Sequence, residues 1–386
     1  MHEKVLADKT LFFDLPFTQR IKEGWDSFSQ GEEKLRELIT GKAASDDITE
    51  YCCELLSPAF SDVCFEVGFN GEKYDLILTP EKNKFMLFFL DAFKKQAPEK
   101  VLKNWNIILG RPACGNQILG FHGEKISPAD VLVKLERDET SGECCAVGYS
   151  KKLLHVLKRD KNEALWFFDL LLDMALGEIV NMRYIDIIDM TDKPFGKKDN
   201  AVPLTDLIVE FKKSHGDKEG WDTAEGYLES CVGYQMKPDE DSENFIPRHD
   251  IYVGFSSFSP VIDCYYNKDK HFTDQARNNG AVAGFIFYPL WGFEEDGESK
   301  KSDKVLDFRD ELEAYINQKT DNSAFCFLGG ATGVFFGYLD FIAWDLKAIL
   351  TAAEEFFADK AFIPYACFQM FDEDADSISL KSQGQV

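Results

Sequence analysis

The stretch Val63-Cys64-Phe65-Glu66-Val67-Gly68-Phe69-Asn70-Gly71-Glu72-Lys73-Tyr74-Asp75-Leu76-Ile77-Leu78 sets the architecture of the first half of the chain. Two runs rich in β-branched and aromatic residues flank Asn70-Gly71, a pair that reaches positive φ at little steric cost, so a β-hairpin is expected. Downstream, Phe85, Phe89, Ala92 and Phe93 recur at helical spacing and predict a helix over 84–96. Trp105-Asn106-Ile107-Ile108-Leu109 then reads as a strand. Residues 131–135 and 145–149 flank a polar turn at Ser141-Gly142. A helix over 164–176 is apolar on nearly every side, with Gly177 as its C-cap, and a strand is expected over 184–188. Upstream, Ile21, Trp25 and Phe28, then Leu35, Leu38 and Ile39, mark a helix, and a second one ends at Ser57-Pro58.

The second half has a similar order. Strands are expected over 251–255, 281–290, 324–328, 334–342 and 363–371. Helices carry Val305, Phe308, Leu312 and Ile316, and then Ile349, Ala353, Phe356 and Phe357, the latter capped by Asp345. The chain is therefore expected to be α+β, with two tandem units, each an antiparallel-rich sheet with helices packed on one face, after an N-terminal helical segment. The expected boundaries are 1–60, 61–200 and 201–386, with the polar stretch 191–200 as the linker and 216–220 as the alternative. The tail from Asp372 is polar and is expected to fray.

Composition narrows the function classes. The 386 residues hold 43 Lys+Arg and 68 Asp+Glu, a net charge of −25, with 45% hydrophobic residues. So negative a surface repels phosphate backbones and anionic membranes, so neither nucleic acid nor a membrane is an expected partner. Met1-His2-Glu3-Lys4 leads into no apolar run, against a signal peptide. Ten cysteines form no Cys-x-x-Cys and sit mostly in apolar segments, which suits reduced, buried thiols in a cytoplasmic protein and no zinc site.

Few residues point to chemistry. Gly329-Gly330-Ala331-Thr332-Gly333 lacks the Lys-Ser or Lys-Thr and the helix of a phosphate loop, and reads as a tight turn between strands. Asp340 lies in a strand apolar on both faces, where a carboxylate needs a partner. Asp186 and Asp189 pose the same question in the first half. Arg248-His249-Asp250 precedes a strand and offers groups that could line a cleft, and Arg111 follows a strand as a carboxylate binder or ion-pair member. The six histidines are scattered, without metal-binding spacing, and no dinucleotide or serine-nucleophile motif occurs. No metal and no cofactor is expected.

The order Tyr74-Asp75-Leu76-Ile77-Leu78-Thr79-Pro80, Phe88-Phe89, Ala97-Pro98, Trp105-Asn106-Ile107 resembles bacterial domains of unknown function in which a strand is followed by a helix, Ala-Pro, Trp and a second strand. These are similar to small cytosolic proteins, immunity or regulatory factors among them. Asp307-Phe308-Arg309, Gly329-Gly330-Ala331 and Tyr338-Leu339-Asp340-Phe341 resemble uncharacterised bacterial proteins. The resemblance implies a bacterial cytosolic protein and brings no active site with it.

Two functions are weighed. The first is a non-enzymatic protein-binding factor of immunity or regulatory type, whose acidic surface attracts a basic protein partner. Asp239, Glu240 and Asp241 in one run and Glu294, Glu295 and Asp296 in another are its candidate binding residues. The second is an enzyme with a carboxylate site near the Gly329–Gly333 turn, using Asp340 with His249 and Arg248. The sequence leaves the oligomeric state open.

Overall fold

A computed structural model describes residues 15–140, 142–241, 245–293 and 301–382. Helices and strands mix throughout, an α+β architecture. The chain forms two compact units, but they are not tandem: residues 63–229 form one, inserted between residues 1–62 and 230–386, which together form the other. The boundary expected near 200 therefore falls at 229, and the N-terminal helices belong with the C-terminal sheet. No helix among the described residues is long and apolar enough to cross a membrane.

The first helix described in the outer unit is α1 (Phe17–Thr40), which buries Phe17, Ile21, Trp25, Phe28 and Leu35 along one stripe. It continues with α2 (Ser45–Leu56), whose first turn carries Asp46 and Asp47 at the positive end of the helix dipole. Phe17 packs on Trp344 at 5.3 Å between ring centres, and its amide donates to the Gly280 carbonyl at 2.8 Å. These long-range contacts explain why the helices join residues 230–386.

The inserted unit opens with the expected hairpin of β1 (Cys64–Phe69) and β2 (Tyr74–Thr79). Phe69 faces Tyr74, so the loop is the four residues 70–73. Asn70 Oδ1 accepts the Glu72 and Lys73 amides, both at 3.0 Å, and shapes it. Helices α3 (Lys84–Lys95), capped by Asn83, and α4 (Glu99–Leu102) carry the chain to β3 (Trp105–Leu109). β3 runs parallel to β2, which such a helical crossover permits. A small ribbon follows, β4 (Leu119–Phe121) with β5 (Glu124–Ile126).

The grammar then repeats. β6 (Leu132–Arg137) and β7 (Cys144–Tyr149) pair antiparallel. Helices α5 (Leu154–Arg159), α6 (Lys161–Leu176) and α7 (Glu178–Tyr184) cross to β8 (Ile187–Met190), parallel to β7. The strand expected from 184 starts later because α7 occupies that stretch. Gly177, at φ +82°, ends α6 and starts α7. β9 (Val202–Pro203) completes the sheet order β8-β7-β6-β9. Helices α8 (Leu207–His215) and α9 (Ala224–Leu228) close the unit.

The returning chain forms one seven-stranded sheet, antiparallel at every step. Its members are β10 (Val232–Gln235), β11 (Ile251–Ser256), β12 (Val282–Pro289), β13 (Phe325–Gly333), β14 (Phe336–Ala343), β15 (Ala366–Met370) and β16 (Ile378–Lys381). Their order is β10-β11-β13-β14-β12-β15-β16, so the tail beyond Asp372 supplies a paired edge strand instead of fraying. Two short helices, α10 (Pro260–Tyr266) and α11 (His271–Asn278), join β11 to β12. Helices α12 (Lys301–Lys319) and α13 (Leu346–Ala358) lay Phe308, Leu312, Ile316, Ile349 and Phe356 against Ile286, Leu339 and Phe341. By strand alternation Phe285, Tyr338 and Asp340 point to the opposite face. That face is closed too, so every residue of β14 is buried.

The glycine run is not a turn. Gly329 to Gly333 belong to β13, and Val334 and Phe335 make the connection to β14. Bare backbone is needed for close approach: a Cβ on Gly329 would lie 2.1 Å from the Phe255 carbonyl, and one on Gly333 2.2 Å from Asp250 Oδ2. No disulfide joins the ten cysteines. Against the expectation of mostly buried thiols, only Cys52 and Cys144 are buried; Cys53, Cys64, Cys114 and Cys231 are exposed and the other four are half-buried.

Candidate functional site

Arg248 and Asp340 meet. Asp340 projects from the middle of β14, opposite Phe285 of β12 and Gly329 of β13. Arg248 sits just before β11 at φ +72°, a left-handed conformation that a non-glycine residue keeps only when its surroundings hold it. Those surroundings are specific. Arg248 Nη1 donates to Asp340 Oδ1, and Nη2 donates to the Tyr234 hydroxyl at 3.0 Å. The Arg248 amide donates to the Tyr338 hydroxyl at 2.9 Å, and the Tyr266 hydroxyl donates to the Arg248 carbonyl at 2.7 Å. Phe285, Tyr338 and Phe371 place their rings 5.1–5.4 Å from the guanidinium carbon, within cation–π range.

The ion pair is sealed: the two side chains are 0% and 1% exposed. Burial alone would lower the Arg248 pKa, but the Asp340 carboxylate, with Tyr234 and Tyr266, holds it above the ordinary value. Burial pushes the Tyr266 phenol up to about 12, so it keeps the proton it donates to the Arg248 carbonyl. Arg248 Nε and Asp340 Oδ2 are buried without a hydrogen-bond partner.

Asp250 extends the network. Its Oδ2 accepts the Phe335 and Phe336 amides at 2.8 and 3.0 Å, and its Oδ1 accepts the Tyr338 hydroxyl. The carboxylate thereby caps the β13–β14 connection, in the space that Gly333 leaves. Burial raises its pKa, and these hydrogen bonds oppose the rise. Residues 247–250 are thus held by two charged side chains and four tyrosines: Tyr234 and Tyr338 of the sheet, and Tyr266 and Tyr265 of α10, the last donating to the Pro247 carbonyl at 2.8 Å.

His249 stays apart. Its ring lies 5.5 Å from that of Tyr266, and its Nε2 is 3.6 Å from Glu373, not in reach of Asp340. Asp345 caps α13 as expected, accepting the Ala348 amide at 3.0 Å. Asp186 accepts the Cys144 amide at 2.7 Å and Asp189 pairs with Lys161 at 2.7 Å, so each is occupied separately. Arg111 binds Glu66 at 2.6 Å and also Glu81. Asp239, Glu240 and Asp241 are exposed, with the Asp239 amide anchored to the His249 carbonyl at 2.7 Å. Glu294, Glu295 and Asp296 lie outside the described residues.

What the arrangement can do follows from access. Four clefts of about 450 to 530 Å³ among the described residues are lined by residues other than Arg248, His249, Asp250 and Asp340. No group of three or more His, Cys, Asp or Glu among the described residues is arranged to hold a metal. Sequence reading found Arg248 and Asp340 but missed Tyr234, Tyr338 and Phe371, whose only signal is being aromatic in a strand or, for Phe371, just after one. It also missed an aromatic cluster at one end of the sheet. Phe336 meets Phe245 at 4.5 Å, Trp291 at 5.8 Å and Tyr365 at 5.9 Å, and Trp291 is 54% exposed. Comparison of the chain with protein-family models, with curated proteins and with solved structures gives no match.

Proposed function

We propose that this protein is a non-enzymatic binding factor whose outer unit takes up a basic protein partner. Charge supports the reading: the outer unit holds 20 Lys+Arg against 40 Asp+Glu, net −20 of the chain's −25. The observation that supports it is that the exposed Asp239–Asp241 run leads, within a few residues, to the aromatic cluster that holds the exposed Trp291. Phe245 follows Asp241 by four residues, a reach of at most about 14 Å, and Phe245 and Trp291 pack on the same Phe336 ring. An exposed indole next to carboxylates suits lysine or arginine side chains, which gain from both ring face and charge.

The enzyme reading has less support. Asp340 and Arg248 neutralise one another in a closed aromatic cage, and a carboxylate without access cannot exchange protons with a substrate.

The test is capture of binding proteins from the native host with the wild-type chain, with Asp239→Asn/Glu240→Gln/Asp241→Asn, and with Trp291→Ala. A basic protein should be retained by the wild type and lost or weakened in both variants. Its association rate should fall as salt shortens the screening length to ~8 Å. A partner held equally by all three chains, at a rate indifferent to salt, would refute the proposal.

A further inference from the structure

The inserted unit carries a cleft of about 480 Å³ beside β3, formed by residues between Lys94 and Glu225. β3 is an edge strand, with β2 as its neighbour on one side and, among the described residues, no strand on the other. The orientation of its backbone follows from the bonds at its two ends. The Tyr74 amide donates to the Asn104 carbonyl at 2.9 Å, and the Gly110 amide donates to the Leu78 carbonyl at 2.8 Å. Even-numbered residues therefore direct their backbone groups at β2. By the alternation of a β-strand, Trp105, Ile107 and Leu109 direct theirs the other way.

Ile107 and Leu109 line the cleft and are 7% exposed. Backbone N–H and C=O groups so nearly buried are costly to leave without partners. Ile179 and Val180 of α7 and Ile208 of α8 line the same cleft and give it an apolar wall. At the rim Lys94 and Glu225 pair at 2.9 Å, with Asp222 nearby in the lining.

An edge strand facing an apolar wall at the mouth of a cleft offers two things together. It presents donors and acceptors repeating every second residue, and it presents a surface for apolar side chains. An extended peptide matches both, because its own backbone groups repeat at the same spacing and its side chains alternate. A small apolar molecule would match only the wall. We propose that this cleft binds an extended peptide segment of a partner protein, apolar at alternate positions, which adds to the free edge of β3. This surface lies wholly in the inserted unit and is independent of the acidic surface of the outer unit.

The experiment uses the full chain and a displayed library of random heptapeptides. Selection on the wild type, with counter-selection on Ile208→Arg, should enrich sequences that alternate apolar and polar residues. A synthetic peptide of the enriched sequence should bind Ile208→Arg about tenfold more weakly or worse, a difference of about 1.4 kcal/mol. Asp222→Arg, at an exposed rim position, should weaken binding too and guards against misfolding of the first variant. The decisive reading is amide exchange. Bound peptide should slow exchange at Ile107 and Leu109 at least about tenfold, with little change at Asn106 and Ile108, which already face β2. No enrichment, binding to Ile208→Arg as tight as to the wild type, or binding without protection of Ile107 and Leu109 would each overturn the proposal. Protection of those amides that rises with chain concentration in the absence of peptide would place a second copy there and overturn it as well.

Discussion

In the outer unit 20 Lys+Arg stand against 40 Asp+Glu, whereas in the inserted unit 23 stand against 28, and the two units treat their central arginines in opposite ways. Arg248, in the more acidic unit, has one carboxylate partner, Asp340, and both are shut away from solvent among aromatic rings. Arg111, in the nearly balanced unit, is 27% exposed and binds Glu66 and Glu81, with Glu178 at 3.7 Å and Asp173 at 3.9 Å. Excess surface charge and the placing of an internal ion pair are thus separate matters. The first concerns what approaches the protein. The second concerns which segment is held where, and a sealed pair holds it at higher stakes because removal of one partner strands the other.

The largest effect should come from breaking the sealed pair. Asp340→Ala is expected to cost about 3–5 kcal/mol in urea unfolding, since it leaves a buried guanidinium without its counter-charge. Glu66→Ala, at a 52% exposed partner of Arg111, should cost under about 1 kcal/mol because solvent screens it. The double replacement Arg248→Met/Asp340→Leu should recover much of the Asp340→Ala loss. Equal costs for Asp340→Ala and Glu66→Ala would erase the contrast between the units.

Next is Gly333→Ala. Its Cβ would press on the Asp250 carboxylate, and about 1–3 kcal/mol of destabilisation is expected by the same measurement. If the variant were as stable as the wild type, the Asp250 cap on the β13–β14 connection would be looser than the contacts imply.

A third prediction concerns pH in the inserted unit. Burial raises the pKa of Glu178, while the Arg111 amide and guanidinium oppose the rise. A carboxyl with a raised pKa binds its proton more tightly folded than unfolded. Its favourable contribution is therefore complete below the ordinary carboxylate range and is lost as pH climbs through the raised value. Glu178→Gln mimics the protonated form, so its stability relative to wild type should improve from pH 4 to pH 7. A constant difference across that interval would mean that Glu178 titrates normally. The smallest effect belongs to the exposed run: Asp239→Asn/Glu240→Gln/Asp241→Asn should change unfolding free energy by no more than about 0.5 kcal/mol, whatever it does to binding.

Much of the secondary structure was legible because it rests on local rules. The period of Phe85, Phe89 and Phe93 marks α3, and alternation around Asn70-Gly71 marks the first hairpin. Other elements escaped for equally physical reasons. Helices α9 and α10 are five and seven residues long, too short for a stripe to declare itself. Strand β16 is only four residues, Ile378-Ser379-Leu380-Lys381, too short for its alternation to stand out within a polar tail. The run Gly329–Gly333 misled because glycine serves a turn and a crowded strand equally well. Which of these applies depends on the Phe255 carbonyl and the Asp250 carboxylate, both more than seventy residues upstream.

The candidate site divides along the same line. Asp340 announces itself, because a carboxylate amid Tyr338, Leu339, Phe341 and Ile342 must find a partner. That the partner is Arg248 is decided by the sheet, which brings residues 92 positions apart into contact. The sequence by itself determined the helix and strand periods, the acidic excess and the need of Asp340 for a counter-charge, since these depend on residue type and spacing along the chain. Only the tertiary structure decided that residues 63–229 stand as an insertion, that the arginine is sealed, and that the edge of β3 faces a cleft. Those outcomes depend on which surfaces meet across long chain separations, and burial is a property of the assembled surfaces rather than of any residue in the order of the chain.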